Sequence, residues 1–331
     1  MLRRHTRARE VAYRFGIPVD HLIPVIVPWY RNYEGGKPPI IRYALRWLLG
    51  RITKRRISRT IKTFEIDVVH LNSIVLAPFL PLPCATVIHI REVITNSQEP
   101  QLLRYLRYAR KLIAIDHRVL MSIPRELHPR TEILANPVVV SIDRFEREIQ
   151  VSKPSGTTIF AVVGSISPVK GVAPIIKACK SLGFGVWELW IIGRENGPYA
   201  RKCHDMAIDD PRIRFIGEVS EMAPYYRSID VVIRGDPDDR IGRTHYEAVL
   251  YGATLVAPGE ILSYNGDEVL RLYRNAIITY TPRSHESLVA ALTKAHNSVV
   301  PKNRNNNMLK TDEILERVLQ RFWDTINDTV G

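Results

Sequence analysis

The sequence has little of what would place a protein outside the cell or across a membrane. It holds three cysteines, Cys84, Cys179 and Cys203. Their odd number and their spacings suit neither a disulfide framework nor a zinc site. They read as reduced thiols of a cytosolic protein. The longest apolar runs, such as Ile133 to Val140 and Trp187 to Ile192, are far too short to span a bilayer. The N-terminus has no charged start followed by an apolar stretch, so no secretory leader is expected. Internal repeats are absent. The only hint of low complexity is Lys302 to Asn307, expected to be an exposed loop.

What is present is enough chain for two domains, 331 residues, with charge placed on one side. Residues 1–150 contain 25 Lys and Arg against 13 Asp and Glu, a net +12; the rest contain 22 against 21. A basic half beside a neutral half attracts polyanions, either nucleic acid or the anionic leaflet of a membrane. Clustered aromatic-basic motifs are missing, which argues against nucleic acid.

Short apolar runs alternate with helical patterns, the signature of parallel sheets flanked by helices. The first half predicts strands at His21–Val27, Asp67–His70, Thr86–Ile90, Lys111–Ile115 and Glu132–Leu134. A helix is predicted at Ile40–Phe64, with Ile41, Leu45, Leu48, Leu49, Ile52, Ile57 and Ile61 inward. Arg42, Arg46, Arg51, Lys54, Arg55, Arg56, Arg59 and Lys62 would face outward. A turn at Asn136-Pro137 ends this half, and the polar stretch from Glu146 to Gly156 reads as a linker. We place the border between two domains at 147/148.

The second half repeats the rhythm. Strands are predicted at Thr158–Val163, Glu188–Ile192, Arg212–Ile216, Asp230–Ile233, Thr254–Ala257 and Ala276–Thr279. Helices are predicted at Val169–Leu182, Pro198–Ala207, Ala223–Ser228, Arg243–Tyr251, His285–Ser298 and Thr311–Asn327, the last capped by Thr311.

Four strand-to-helix loops of this half carry candidate chemistry. The first runs from Gly164 and Ser165 to Lys170-Gly171, where backbone N–H groups at a helix start and a cation suit a diphosphate. The second holds Gly193 and Gly197, which permit close backbone approach to a ligand. The third is Phe215-Ile216-Gly217-Glu218-Val219, whose backbone is free to meet a base edge. The fourth spans Asp239, Gly242 and Glu247, two carboxylates seven residues apart. A carboxylate one turn inside a helix can accept two hydroxyl hydrogen bonds. Each loop alone is an ordinary turn. Their shared position, after successive strands of one sheet, is where open α/β sheets bind ligands.

With these motifs, residues 157–257 resemble the nucleotide-binding domain of the retaining GT-B glycosyltransferases of the glycosyl transferases group 1 family. The match runs through Gly164 with Lys170-Gly171, Gly193 with Gly197-Pro198, Phe215-Ile216-Gly217-Glu218-Val219, and Asp239-Arg240-Ile241-Gly242 with Glu247-Ala248 and Gly252. The resemblance implies that Lys170 binds the donor diphosphate and Glu247 the ribose hydroxyls. It implies that Asp239 meets the donor sugar, with Gly217 to Val219 facing the base. Where the family usually has arginine this sequence has Ser165. The first half resembles the family more loosely, through Asp67 to Ser73 and through His89-Ile90-Arg91-Glu92. The latter is similar to a His-x-Arg-Glu segment of polysaccharide-synthesising members and adds His89 and Arg91 to Asp239 as catalytic candidates.

The resemblance therefore implies two Rossmann-like domains facing a cleft, the first lacking its opening strand and helix. It implies sugar transfer with retention from a nucleoside-diphosphate donor, without a metal or other cofactor, to a glycan or lipid-linked acceptor in surface polysaccharide synthesis. The expected partners are the donor, that acceptor and an anionic membrane surface, with no nucleic acid. The expected location is cytoplasmic, at the inner face of the plasma membrane. A catalytically impaired relative acting as a partner subunit is the alternative.

Overall fold

The computed structural model describes residues 40–94, 100–135, 151–183, 185–195, 197–235, 242–259, 273–298 and 304–330. The strand expected at His21–Val27, the turn at Asn136-Pro137 and the domain border at 147/148 lie outside the described residues. The chain divides into two units. One comprises Met1–Ala114, Val119–Glu132 and Asp324–Gly331; the other comprises Ile115–Arg118 and Ile133–Trp323.

The first unit is built on a four-stranded sheet in the order β1 (Val68–Leu71), β2 (Ala85–Ile90), β3 (Lys111–Ala114), β4 (Thr131–Ile133). β1 pairs parallel with β2, and β2 parallel with β3. Burial of Val87, Ile88 and Ile90 on β2 and of Leu112 and Ile113 on β3 accounts for their continuous apolar character. Helix α1 (Ile40–Thr63) precedes the sheet, and α2 (Pro100–Leu106) and α3 (His117–Met121) follow β2 and β3.

Helix α1 corrects one expectation. Leu48 and Ile52, expected inward, are 52% and 53% exposed. The buried strip is instead Gly50, Thr53 and Ile61 with half-buried Ile57. Lys54, expected outward, is half-buried and its ammonium donates to the Leu80 carbonyl at 2.9 Å. Seven apolar residues wrap too far round a helix for one sheet face to cover them all, and a lysine stem packs as well as an aliphatic chain when its head finds an acceptor.

The second unit is a six-stranded sheet in the order β10-β9-β8-β5-β6-β7. Its strands are β5 (Thr158–Val163), β6 (Trp187–Ile192), β7 (Ile213–Gly217), β8 (Val231–Ile233), β9 (Thr254–Pro258) and β10 (Ile277–Tyr280), and every pair is parallel. Their crossovers carry α4 (Val172–Lys180), α5 (Gly197–Ala207), α6 (Ala223–Ser228) and α7 (Arg243–Leu250), with α8 (His285–Asn297) after β10. Strand alternation splits the core in two. Phe160 and Val162 pack with α4, α5 and α8 on one face. Ile159, Ala161 and Val163 pack with α6 and α7 on the other. Asp230, buried before β8, accepts from the Ile159 N–H at 2.9 Å and from Lys153 of the linker.

Two helices differ from expectation. The predicted Val169–Leu182 helix is a 3-10 turn, Pro168–Lys170, then a break at Gly171, then α4. Gly171 has φ +62°, and a Cβ on it would lie 1.8 Å from the Gly235 carbonyl oxygen, so tight packing of two loops imposes the break. The last helix, α9 (Arg304–Val330), begins seven residues before Thr311. Thr311 is therefore interior, and Arg304 to Asn307 are helical rather than loop. Asparagine costs a helix only a few tenths of a kcal/mol each, up to about 0.7, too little to stop one held elsewhere along its length. No helix among the described residues is long and apolar enough to cross a membrane.

Candidate functional site

The parallel register brings three loops of the second unit to one edge. Gly164 N–H donates to the Ile192 carbonyl at 2.9 Å, Gly193 N–H to the Gly217 carbonyl at 2.8 Å, and Ile166 N–H to the Arg194 carbonyl at 2.9 Å. The sheet ladder thus continues past the strand ends and laces the loops together. Gly164, Gly193 and Gly217 have φ of +131°, +151° and +81°. A Cβ on Gly193 would lie 1.9 Å from the Gly164 oxygen, so glycine is a steric requirement there.

Between these loops lies a pocket of about 330 Å³. Its walls include Gly164, Ser165, Gly193 and Val219, four of the residues singled out from sequence, with Arg194 and Met222. The size falls in the range of small-molecule sites. Lys170 is not one of its walls; its Cε lies 3.8 Å from where a Gly164 Cβ would stand, next to the loop that forms one of them. Arg194 and Glu218 form a two-pronged ion pair across adjacent loops, at 3.1 and 2.9 Å. Arg194 was not among the sequence candidates; it lines this pocket together with Ser165.

Glu247 lies one turn inside α7, half-buried. Its Oε2 accepts from the Tyr226 hydroxyl at 2.7 Å, and its Oε1 from Arg243 at 3.1 Å. Tyr226 is fully buried, and burial together with the neighbouring Glu247 charge holds its hydroxyl well above the ordinary phenol range. It is therefore a permanent donor that fixes the carboxylate. Tyr226 also ties Glu247 to the pocket, because its N–H donates to the carbonyl of Met222, which lines that pocket.

Gly242 caps α7, and its N–H donates to His245 Nδ1 at 2.9 Å. His245 thus fills the role usually taken by Glu or Gln in a capping box. Burial, with Arg234 and Lys170 nearby, holds it well below the usual imidazole range and so neutral. Arg234, buried at the end of β8, donates to Thr244 Oγ1 at 2.9 Å. The spacing of Gly242 and His245 is a legible capping signal; nothing in the sequence marks Arg234 as buried. Asp239 lies outside the described residues.

His89 and Arg91 belong to the first unit, at the strand-end edge of its sheet. His89 is 4% exposed, and its Nε2 has no hydrogen-bond partner among the described residues. Its ring centroid is 5.7 Å from that of His70. Burial first, then Arg91 and His70, lower its pKa to about 3. Arg91 is exposed; its N–H and the Ser73 hydroxyl both donate to Glu92. His89 is neutral at physiological pH and suits orienting a ligand rather than delivering a proton.

This has a consequence for stability. The unfolded chain protonates His89 near pH 6.5, whereas the folded chain keeps it neutral to about 3. The unfolded state binds more protons between these values. Stability is full above about pH 6.5 and falls as pH drops through that window. His70 and His245, also lowered, act in the same direction. Urea midpoints at neutral and acidic pH should converge in His89→Gln relative to the parent. An unchanged acid dependence would show that the ring is hydrated.

A family model described as glycosyl transferases group 1 matches residues 143–309, half of the chain. The chain belongs to the glycosyl transferases group 1 family. Solved structures agree on the fold. HepE from Anabaena, crystallised with UDP, is 16% identical with a TM-score of 0.65, covering 83% of this chain and 82% of its own. Sucrose-phosphate synthase from Thermosynechococcus elongatus is 13% identical with a TM-score of 0.62, covering 82% and 78%. WaaG, a glycosyltransferase involved in lipopolysaccharide biosynthesis, is 16% identical with a TM-score of 0.55, covering 89% and 80%. No curated protein matches the sequence. The two parallel-sheet units are those of the GT-B architecture, and the laced loops lie inside the span matched by the glycosyl transferases group 1 model.

Proposed function

We propose that this chain transfers a sugar, with retention, from a nucleoside-diphosphate donor to a glycan or lipid-linked acceptor. The observation that carries the reading is the convergence of Gly164, Ser165, Gly193 and Val219 on one pocket, with Lys170 over Gly164 and with Glu247 clamped by Tyr226. The similar HepE was solved with UDP, which supports a uridine nucleotide as the first ligand to test.

In this reading Lys170 and the loop N–H groups hold the diphosphate and stabilise its leaving charge without a metal. Arg194 turns from Glu218 to the phosphates, replacing the cation absent at Ser165. Glu247 takes the ribose hydroxyls on the lone pairs that Tyr226 leaves open. Gly217 to Val219 meet the base and Asp239 the donor sugar; in the first unit, His89 and Arg91 are the residues that the resemblance assigns to the chemistry. The basic first half holds the enzyme at an anionic membrane surface, where a lipid-linked acceptor resides.

Lys170→Ala tests the diphosphate assignment. Calorimetry should show UDP or GDP binding weakened by about ten- to a hundredfold, and uridine or guanosine binding nearly unchanged. Equal losses for nucleotide and nucleoside would show that Lys170 acts by supporting the loop.

A further inference from the structure

A cavity of about 820 Å³ in the first unit lies beside α1 and has no part in the chemistry above. Arg51, Lys54, Arg55, Arg59 and Lys62 line it, with Ser58 among them and an apolar floor of Pro78, Phe79 and Leu80. Tyr105 is on one side, and no carboxylate among the described residues lines it. Arg55, Arg59 and Lys62 make no ion pair or side-chain hydrogen bond among the described residues. Lys54 is partly desolvated, which lowers its pKa. Arg55, Arg59 and Lys62, without such partners among the described residues and gathered over an apolar floor, are matched by an anion with several acceptor oxygens.

The cavity's place in the fold separates it from the reacting groups. Its walls lead into strand starts: Thr63 precedes β1, Leu80 precedes β2, and the helix of Tyr105 precedes β3. Strand starts of a parallel sheet share one edge, and His89, Arg91 and Glu92 stand at the other. The occupant is therefore held away from bond-making. Leu48 and Ile52 stand next to the cavity on α1. Helical spacing puts them in one strip with Arg55 and Arg59, and both are half-exposed. Apolar side chains flanked by cations fit the boundary of an anionic leaflet, and a free anion would not explain them.

We propose that this cavity takes the phosphate headgroup of an anionic lipid while Leu48 and Ile52 dip into the leaflet beside it. The inference rests on the membrane reading above and adds a headgroup-shaped site to general charge attraction. Sedimentation with vesicles of phosphatidylcholine, alone or mixed with phosphatidylglycerol or phosphatidate, tests it at low salt. Arg55→Gln/Arg59→Gln should lower partition into the anionic vesicles by roughly 25-fold or more, about fivefold per charge. Arg56→Gln/Arg125→Gln removes the same charge outside the cavity and should cost about fivefold or less. Ser58→Trp fills the cavity without changing charge and should match the first pair, with unchanged circular dichroism confirming the fold.

Equal losses for the two pairs, with no effect of Ser58→Trp, would overturn the headgroup site and leave general membrane attraction standing. Failure of the parent protein to bind anionic vesicles would overturn both. Calorimetric binding of inorganic phosphate with the same variant dependence, without vesicle binding, would assign the cavity to a soluble anion and reject the lipid. Displacement from vesicles by single-stranded RNA, with that dependence, would reject it in favour of nucleic acid. Donor hydrolysis without vesicles reports on sugar transfer separately.

Discussion

Glu247→Ala should lower affinity for the nucleotide-sugar donor by about ten- to a hundredfold. The side chain is the charged acceptor proposed for the ribose hydroxyls, and loss of such a partner costs about 1.5–3 kcal/mol. The same change strips the buried Tyr226 hydroxyl of its acceptor at 2.7 Å. An unsatisfied buried donor costs about 1–3 kcal/mol of stability. Glu247→Gln separates the two effects, since an amide oxygen still accepts from Tyr226 while the charge is gone. Calorimetry with UDP, GDP and their sugars, alongside thermal melting, reads both. A folded alanine variant that binds donor like the parent would remove Glu247 from the site. A glutamine variant with parental affinity would restrict its role to holding Tyr226.

Gly193→Ala should destabilise the donor edge strongly. Its φ is +151°, a backbone region that costs an L residue about 1–3 kcal/mol. The new Cβ would also meet the Gly164 oxygen at 1.9 Å, and that loop is fixed by the bond from Gly164 N–H to Ile192. The combined cost is about 3–5 kcal/mol, which for a unit of this size lowers Tm by roughly 6–20 °C. Donor affinity should fall with it, because the displaced loop walls the pocket. Gly197→Ala is the control: its φ is +73°, but its Cβ would meet nothing within 4 Å. Its effect should be limited to the backbone strain. Equal Tm values for the two variants would mean that the loops yield without cost.

Much of the second unit was legible because its strands are buried on both faces and its turns are marked by glycine. Thr158–Val163 and Ala223–Ser228 have the bounds expected of them, and the other expected strands agree to within one residue. The first sheet agrees as closely, from β1 to β4. The failures share a cause. The break at Gly171, the inward turn of Lys54 and the early start of α9 each depend on what packs against the segment from elsewhere in the chain. Local periodicity carries no record of that. The role of Tyr226 was hidden for the same reason, since its partner Glu247 is 21 residues away.

The sequence by itself determined the alternation of strand and helix, the glycines at the strand ends, the carboxylate at Glu247 and the concentration of positive charge in the first half. These are properties of composition and short-range spacing, which backbone sterics and side-chain chemistry translate directly into local structure. Only the tertiary structure decided which of those groups share a pocket. Strand order and parallel register placed Gly164 against Gly193 and Gly193 against Gly217, and brought Arg194 and Ser165 to one pocket. Packing of α1 on its sheet turned Lys54 to the Leu80 carbonyl and left Arg55 and Arg59 exposed. Long-range contacts fix such pairings, because burial area and hydrogen-bond satisfaction are settled across the whole unit at once.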